Sequence, residues 1–125
     1  MGKVILVVDD SATTRSSVEF VLKQAGYDVA LATDGSDGLS KLEHLANSGD
    51  QVSMIITDVN MPVMDGITFT RNVKQGRFKD TPVLVLTTES QDTKKQEGRS
   101  AGASGWLVKP FQPEQILEVV KKLAN

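Results

Sequence analysis

Several residue types that carry common protein chemistry are scarce in this chain. Among its 125 residues are no cysteine and only one histidine. The lack of cysteine excludes disulfides, thiolate zinc sites and a cysteine nucleophile. The lone His44 has no accompanying site residues, and we interpret it as a solvated helix residue and not as a phosphodonor. Any metal or covalent chemistry must therefore use oxygen and amine groups.

Long hydrophobic runs are also missing. The longest strongly apolar run, Val4–Val8, is far below the roughly 20 residues that span a bilayer, and residues 1–3 lack a signal-peptide layout. We therefore predict a cytoplasmic protein that does not bind membranes. A length of 125 residues with 39% hydrophobic residues suits one domain covering residues 1–125. Because the chain ends about two residues after its last helix pattern, output is expected to occur by docking.

The charge pattern argues against nucleic-acid binding. The formal net charge is -2, whereas nucleic-acid-binding proteins usually present a basic face. Residues 1–62 carry a net charge of -5 and residues 63–125 carry +3. This asymmetry allows a cation site in the first half and a partner surface in the second, although solvated helix faces explain many such patterns equally well.

Short apolar runs alternate with amphipathic stretches along the whole chain. Each run is short enough for a strand, and the stretches between them show helical spacing. The predicted strands are Val4–Val8, Val29–Ala32, Val52–Ile56, Val83–Leu86 and Trp106–Val108. The stretch from Gln91 to Gly102 has few large apolar residues, so we expect a short, loosely held fourth helix. The alternation predicts an α/β fold with a parallel sheet covered by helices on both faces.

Polar residues follow four of the five predicted strands. They are Asp9 and Asp10 after the first strand, Asp58 after the third, Thr87 after the fourth and Lys109 after the fifth. In open parallel sheets, ligands bind beyond the carboxyl ends of the strands. Three carboxylates in one cleft repel each other unless a cation joins them. Because the available ligands are hard oxygens, the sequence predicts Mg²⁺, with Mn²⁺ as the alternative.

This combination of residues suits phosphoryl transfer. Mg²⁺ usually keeps several waters and bridges to phosphate, so few protein ligands suffice. Asp58 would act as the nucleophile and form an aspartyl-phosphate. The metal and Lys109 would stabilise negative charge on the transferred group, and Thr87 would donate a hydrogen bond to it.

The same residues resemble the motifs of the response-regulator receiver family. The matching motifs are Asp9-Asp10, Asp58 with the following Val-Asn-Met-Pro-Val-Met-Asp-Gly, Thr87-Thr88 and Lys109-Pro110. Stand-alone CheY-like members are the most similar in length. The resemblance implies a flavodoxin-like sheet of strand order 2-1-3-4-5 and Asp58 as the phosphoacceptor. It also implies a metal site of Asp9, Asp10, Asp58 and the carbonyl of Asn60, and a cis bond before Pro110.

The resemblance further implies a switch in which Thr87 moves toward the phosphoryl group and Trp106 swings inward. Tyrosine or phenylalanine is more usual at the position of Trp106, and packing of this side chain against the fourth helix is the alternative interpretation. Asn60 and Glu89 occupy positions that influence phosphoryl lifetime in the family, but both could be ordinary loop residues. Gly66 and Met61 are expected to shape the loop after Asp58.

The function implied is that of a two-component response regulator of the chemotaxis type. A histidine kinase would be the phosphodonor, the protein would be a monomer, and it would dephosphorylate itself slowly without being a turnover enzyme. The expected docking surface comprises the fourth helix, fifth strand and last helix, with an acidic partner segment around an apolar anchor. Its basic residues are Lys94, Lys95, Arg99, Lys121 and Lys122.

The sequence is compatible with several other functions. A phosphorelay intermediate, a phosphate sink and a receiver-like adaptor that is not phosphorylated would share the same fold. A small phosphatase would need a general acid two residues after Asp58, where Asn60 stands. A flavodoxin-like cofactor carrier would need a phosphate-binding loop where Asp9 and Asp10 would repel phosphate.

Overall fold

A computed structural model describes residues 3–88 and 91–124 of the chain. Within them, five strands alternate with five helices. The elements are β1 (Lys3–Val8), α1 (Ala12–Gln24), β2 (Asp28–Ala32), α2 (Gly35–Asn47), β3 (Gln51–Thr57), α3 (Gly66–Lys74), β4 (Val83–Thr87), α4 (Asp92–Ala101), β5 (Gly105–Val108) and α5 (Pro113–Leu123). The strands form one parallel sheet of order β2-β1-β3-β4-β5. This confirms the predicted fold class and strand order.

Local signals in the sequence fix where several helices begin and end. The side chains of Ser11, Asp34 and Asp65 each accept a hydrogen bond from a backbone N–H in the first turn of the helix that follows. Pro113 is the first residue of α5, where its missing N–H costs nothing. Gly26 follows α1 with a φ of 94°, a conformation that glycine adopts readily.

The sheet is buried on both faces because helices cover each side. One face packs against α1 and α5, and its core includes Ile5, Val7, Val18, Leu22, Met54, Ile56, Leu84, Leu86, Ile116 and Val120. The other packs against α2 and α3, and its core includes Leu6, Val8, Leu42, Ile55, Phe69, Val73 and Val83. Side chains along each strand alternate between the two faces, which explains the continuous apolar runs.

The chain from α4 onward is less buried than the elements before it. Gly98 and Ala101 are the buried residues of α4, which agrees with the prediction of a loosely held helix. In α5, Ile116 and Val120 are buried, whereas Leu117 is only partly buried because it flanks the stripe facing the sheet. No helix in the described part of the chain is long and apolar enough to cross a membrane.

Candidate functional site

Three carboxylates meet at the carboxyl end of the sheet. Strands β1 and β3 are neighbours, and Val8 lies beside Thr57, so Asp9 and Asp58 leave the sheet at the same level. The backbone N–H of Asp58 donates to the carbonyl oxygen of Val8, at 3.0 Å. Oxygens of Asp9, Asp10 and Asp58 lie within 4.8 Å of one another. The structure thus brings together the three predicted metal-site carboxylates.

Asp58 is buried and held in a defined orientation. One carboxylate oxygen, Oδ1, accepts a hydrogen bond of 2.7 Å from the backbone N–H of Val59. The hydroxyl of Thr57 donates to the carbonyl oxygen of Asp58 at 2.9 Å. Only 9% of the residue is exposed. A carboxylate fixed in this way presents its second oxygen, Oδ2, to the cleft. No further conformational entropy has to be lost to orient it for a reaction.

Lys109 reaches this cleft from β5, two strands away from β3. Its Nζ lies 3.0 Å from Oδ2 of Asp9 and 3.3 Å from Oδ2 of Asp58. The backbone N–H of Lys109 donates to the carbonyl of Thr87 at 2.7 Å, and the following bond to Pro110 is cis, as the resemblance implied. The long, flexible side chain of Lys109 carries its charge across the distance between β5 and β3.

Burial and charge act against each other at this cluster. Burial raises the pKa of Asp9, and the hydrogen bonds from the Ser11 N–H and from Lys109 offset only part of that rise. Burial lowers the pKa of Lys109, but its hydrogen bonds and attraction to Asp9 and Asp58 outweigh this and hold the pKa above its ordinary value. Lys109 therefore stays protonated near neutral pH.

The donor set fits a hard divalent cation. The cluster contains three carboxylates and one ammonium group, that of Lys109, so its formal charge is -2. All the side-chain ligands are oxygens, which Mg²⁺ and Mn²⁺ prefer. Asp10 is exposed, whereas Asp9 is buried, so an ion bound here would remain partly open to water and to phosphate.

The remaining predicted site residues lie near this end of the sheet or beside it. Thr87 is buried at the end of β4, the strand next to β3. Asn60 is exposed in the loop after Asp58, and Glu89 lies outside the described residues. Trp106 is half-buried in β5, and its indole packs against α4 at Gly98. In this conformation Trp106 packs against the fourth helix, as the alternative interpretation of this residue had it.

The loop after Asp58 depends on a close approach of two backbone segments. A Cβ at Gly66 would overlap the carbonyl oxygen of Asp58, and the Gly66 N–H donates to Val59 at 2.8 Å. Gly66 therefore shapes this loop, as predicted. The loop also contains a tight turn at Val63, where φ is 69° and the Met64 N–H donates to the Pro62 carbonyl. Such γ-turns are rare and strained, and the sequence did not reveal this one.

Sequence reasoning missed two residues beside the cluster. The Arg15 side chain donates from Nη1 to the carbonyl oxygen of Asp9 at 2.6 Å. Phe20 is 65% exposed on α1, next to a groove of about 490 Å³ that Lys109, Pro110 and Phe111 also line. A signal existed for each: a basic residue near a helix N-terminus opposes the helix dipole, and Phe20 falls outside the apolar stripe of α1.

Comparison with known proteins gives consistent matches across nearly the whole chain. The family model described as Response regulator receiver domain matches residues 5–121. Protein PilG of Pseudomonas aeruginosa is 36% identical over 121 residues, covering 96% of this chain and 86% of that protein. Chemotaxis protein CheY1 of Helicobacter pylori (strain 26695) is 38% identical over 116 residues, covering 91% and 90%.

Solved structures agree with the curated relatives. Vibrio cholerae chemotaxis protein CheY4 superimposes with a TM-score of 0.88 at 44% identity, covering 98% of this chain and 99% of that one. Two further curated relatives are longer proteins, and the chain spans only 15% of one and 49% of the other. The same unit therefore also occurs as a part of larger proteins.

Proposed function

Because this chain belongs to the response regulator receiver domain family, we propose that Asp58 accepts a phosphoryl group from a histidine kinase in a reaction that requires a divalent cation. The chain is a receiver domain of the two-component type with chemotaxis proteins among its relatives. One observation carries the proposal: Lys109 Nζ lies 3.0 Å from Asp9 and 3.3 Å from Asp58 inside a cluster of three carboxylates.

The residues of the cluster have complementary roles. Asp9, Asp10, Asp58 and the carbonyl of Asn60 would hold Mg²⁺, which supplies positive charge opposite the oxygens of the transferred group. A carboxylate oxygen of Asp58 forms a bond to phosphorus while the bond from phosphorus to the donor's imidazole nitrogen breaks, and the imidazole takes up a proton from water.

Lys109 and Thr87 act on the phosphoryl group once it has arrived. The Lys109 ammonium can exchange its contact with Asp58 for a phosphoryl oxygen because its long side chain is flexible. The Thr87 hydroxyl donates to a second oxygen. Hydrolysis by water then resets the protein slowly. We assign no turnover activity, because Asn60 offers no general acid where an aspartyl phosphatase would need one.

Intact-mass measurement after incubation with a small-molecule phosphodonor tests the acceptor. We expect a single phosphoryl adduct that forms with Mg²⁺, is absent without it and is lost in Asp58→Asn. The control is Asp50→Asn, just before β3 at the opposite end of the sheet, which should keep the adduct. An adduct that persists in Asp58→Asn, or no adduct on the native protein, would leave a receiver fold that works without phosphorylation at this residue.

A groove beside the cluster offers a surface for the phosphodonor. Phe20 is exposed at this groove, and Lys109, Pro110 and Phe111 line it as well. A kinase that brings its phosphohistidine to Asp58 would cover this groove. Burial of the phenyl ring of Phe20 would then stabilise the complex. Phe20→Ser should slow transfer from the kinase but leave labelling by a small-molecule donor unchanged. Lys23→Ser, on the same helix, serves as the control.

The output surface is proposed on the face formed by α4, β5 and α5. A cavity of about 100 Å³ lies there between the side chains of Lys95, Arg99 and Trp106. Two cations beside an indole fit a partner segment with acidic residues around an apolar anchor. Phosphorylation would change the position of Trp106 and so the affinity of a monomeric protein for a chemotaxis-type partner.

Binding measurements can separate this output from a relay or an adaptor. Affinity for the partner should rise when a phosphoryl mimic is bound, fall with salt, and fall further in Lys95→Glu. Emission from Trp106, the single tryptophan, should change with the mimic. Binding that ignores the mimic would favour the adaptor, and phosphotransfer to a second histidine without partner binding would favour the relay.

A further inference from the structure

Arg15 has a contact that neither the helix nor the proposed reaction explains. It lies in the first turns of α1, and its Nη1 donates to the backbone carbonyl oxygen of Asp9 at 2.6 Å. A positive charge near a helix N-terminus is unfavourable with respect to the helix dipole. The α1 helix is already capped by the Ser11 side chain, which accepts from the Thr14 N–H. Helix stability therefore does not account for this placement.

The carbonyl that Arg15 holds belongs to the peptide group joining Asp9 to Asp10. Rotation of that peptide would move both carboxylates relative to Asp58. The other polar atoms of Asp9 are also engaged: its N–H donates to Ala32, Oδ1 accepts from the Ser11 N–H, and Oδ2 accepts from Lys109. Arg15 therefore supplies the contact that fixes the peptide between the two acidic residues.

We propose that Arg15 is a positioning residue of the cation site: its guanidinium fixes the Asp9–Asp10 peptide and so sets the affinity of the cluster for Mg²⁺. This rests on the proposed function, because it concerns the same site. The contact is a charge-assisted hydrogen bond to a buried residue, which makes it strong and costly to lose. In metalloproteins, groups that orient the ligands typically change metal affinity by about 10–100-fold when they are removed.

Calorimetric titration with Mg²⁺ tests this without any phosphodonor. Arg15→Met should weaken Mg²⁺ binding by about tenfold or more, whereas Arg15→Lys, which keeps a charged donor, should recover part of the affinity. Lys23→Met removes a cation from the same helix at its other end and should leave affinity unchanged. Urea unfolding in EDTA, measured for every variant, separates loss of folding from loss of the site.

The outcomes are distinct from those that test phosphorylation. Native affinity in a folded Arg15→Met protein overturns the positioning role, whatever happens at Asp58. If Arg15→Met does not fold, Arg15→Lys decides, since an affinity equal to that of the native protein together with lowered stability would make the contact purely structural. Native protein that binds no Mg²⁺ would instead refute the cation site on which the proposal rests.

Discussion

The carboxylate cluster and the α4–β5 edge, the two regions that carry the proposed function, differ in how tightly their residues are packed. At the carboxylate cluster, backbone packs against backbone: Gly66 lies directly on the carbonyl of Asp58, and Asp58 and Asp9 are both buried. At the edge formed by α4 and β5, a helix with two buried residues rests on the half-buried indole of Trp106. The first region is fixed by close backbone contacts, and the second is closed by a half-buried side chain.

This difference suits the two tasks. The reaction proposed for Asp58 needs reacting groups held in place, because misplacement of about 1 Å can cost a large factor in rate. The proposed docking face would have to change on phosphorylation, and segments with few buried apolar contacts are the ones that rearrange at low free-energy cost. The comparison predicts that similar substitutions will have different effects in the two regions.

The largest expected effect comes from adding a methyl group at the rigid end. Gly66→Ala would place a Cβ into the carbonyl oxygen of Asp58, and neither backbone can yield easily. We expect the free energy of unfolding to fall by about 3 kcal/mol or more, with loss of labelling at Asp58. Urea unfolding and intact mass measure both.

Gly76→Ala is the matched control for that substitution. Its Cβ would have only the carbonyl oxygen of Asn72 nearby, at 4.0 Å. Its effect on stability should stay within about 0.5 kcal/mol. A loss of stability in Gly66→Ala as small as the one expected for Gly76→Ala would show that the loop after Asp58 tolerates a Cβ. The contrast between the two regions would then be wrong.

A smaller effect is expected at the cap of α3. Burial would raise the pKa of Asp65, but hydrogen bonds from the N–H and hydroxyl of Thr68 outweigh it and lower the pKa. The carboxylate form therefore stabilises the fold above the unfolded pKa of about 3.9, and this contribution is lost as pH falls through the folded value. Asp65→Ala should cost about 1 kcal/mol at pH 7 and progressively less in acid.

Urea unfolding of the native protein and of Asp65→Ala, measured from pH 7 down to pH 2, checks the prediction. Asp92→Ala, in the first turn of α4, is the comparison from the other region and should cost less, since there only the attraction to the helix dipole is removed. A difference between native protein and Asp65→Ala that stays constant down to pH 2 would mean that the cap does not depend on charge.

Much of the architecture could be predicted because the sequence repeats one pattern. Apolar runs separated by helical spacing predicted strands alternating with helices, and α3 and α5 begin at residues that favour a helix start, the cap Asp65 and the first-turn Pro113. The strand order did not follow from periodicity and came from the resemblance, since spacing does not say which strands are neighbours. The structure confirms it, and the similarity to solved structures agrees.

The cluster was predictable for a related reason. Parallel strands end at one edge, so the residues after them, Asp9, Asp10, Asp58 and Lys109, had to converge. Contacts made through backbone atoms were not predictable. The Arg15 bond to a carbonyl and the turn at Val63 depend on conformation and leave only weak traces in residue type. The side of the sheet edge on which Trp106 packs is likewise set by tertiary contacts.

The smallest expected effect on stability is the most informative about the α4–β5 edge. Alanine favours a helix interior by about 1 kcal/mol over glycine, so Gly98→Ala should stabilise α4. Its Cβ, however, would lie 2.7 Å from Cζ3 of Trp106. The indole is half-buried and can shift, so the two effects should nearly cancel, and tryptophan emission and quencher access should change while stability does not.

A double-mutant cycle with Trp106→Leu isolates this coupling. In the Trp106→Leu background the clash is gone, so Gly98→Ala should raise the free energy of unfolding by about 1 kcal/mol. Emission of Gly98→Ala alone should resemble that of a more exposed indole. If Gly98→Ala gains the same stability in both backgrounds and leaves emission unchanged, the indole does not rest on Gly98. The α4–β5 edge would then have to be held by other contacts, and Trp106 would lose its place as the movable group there.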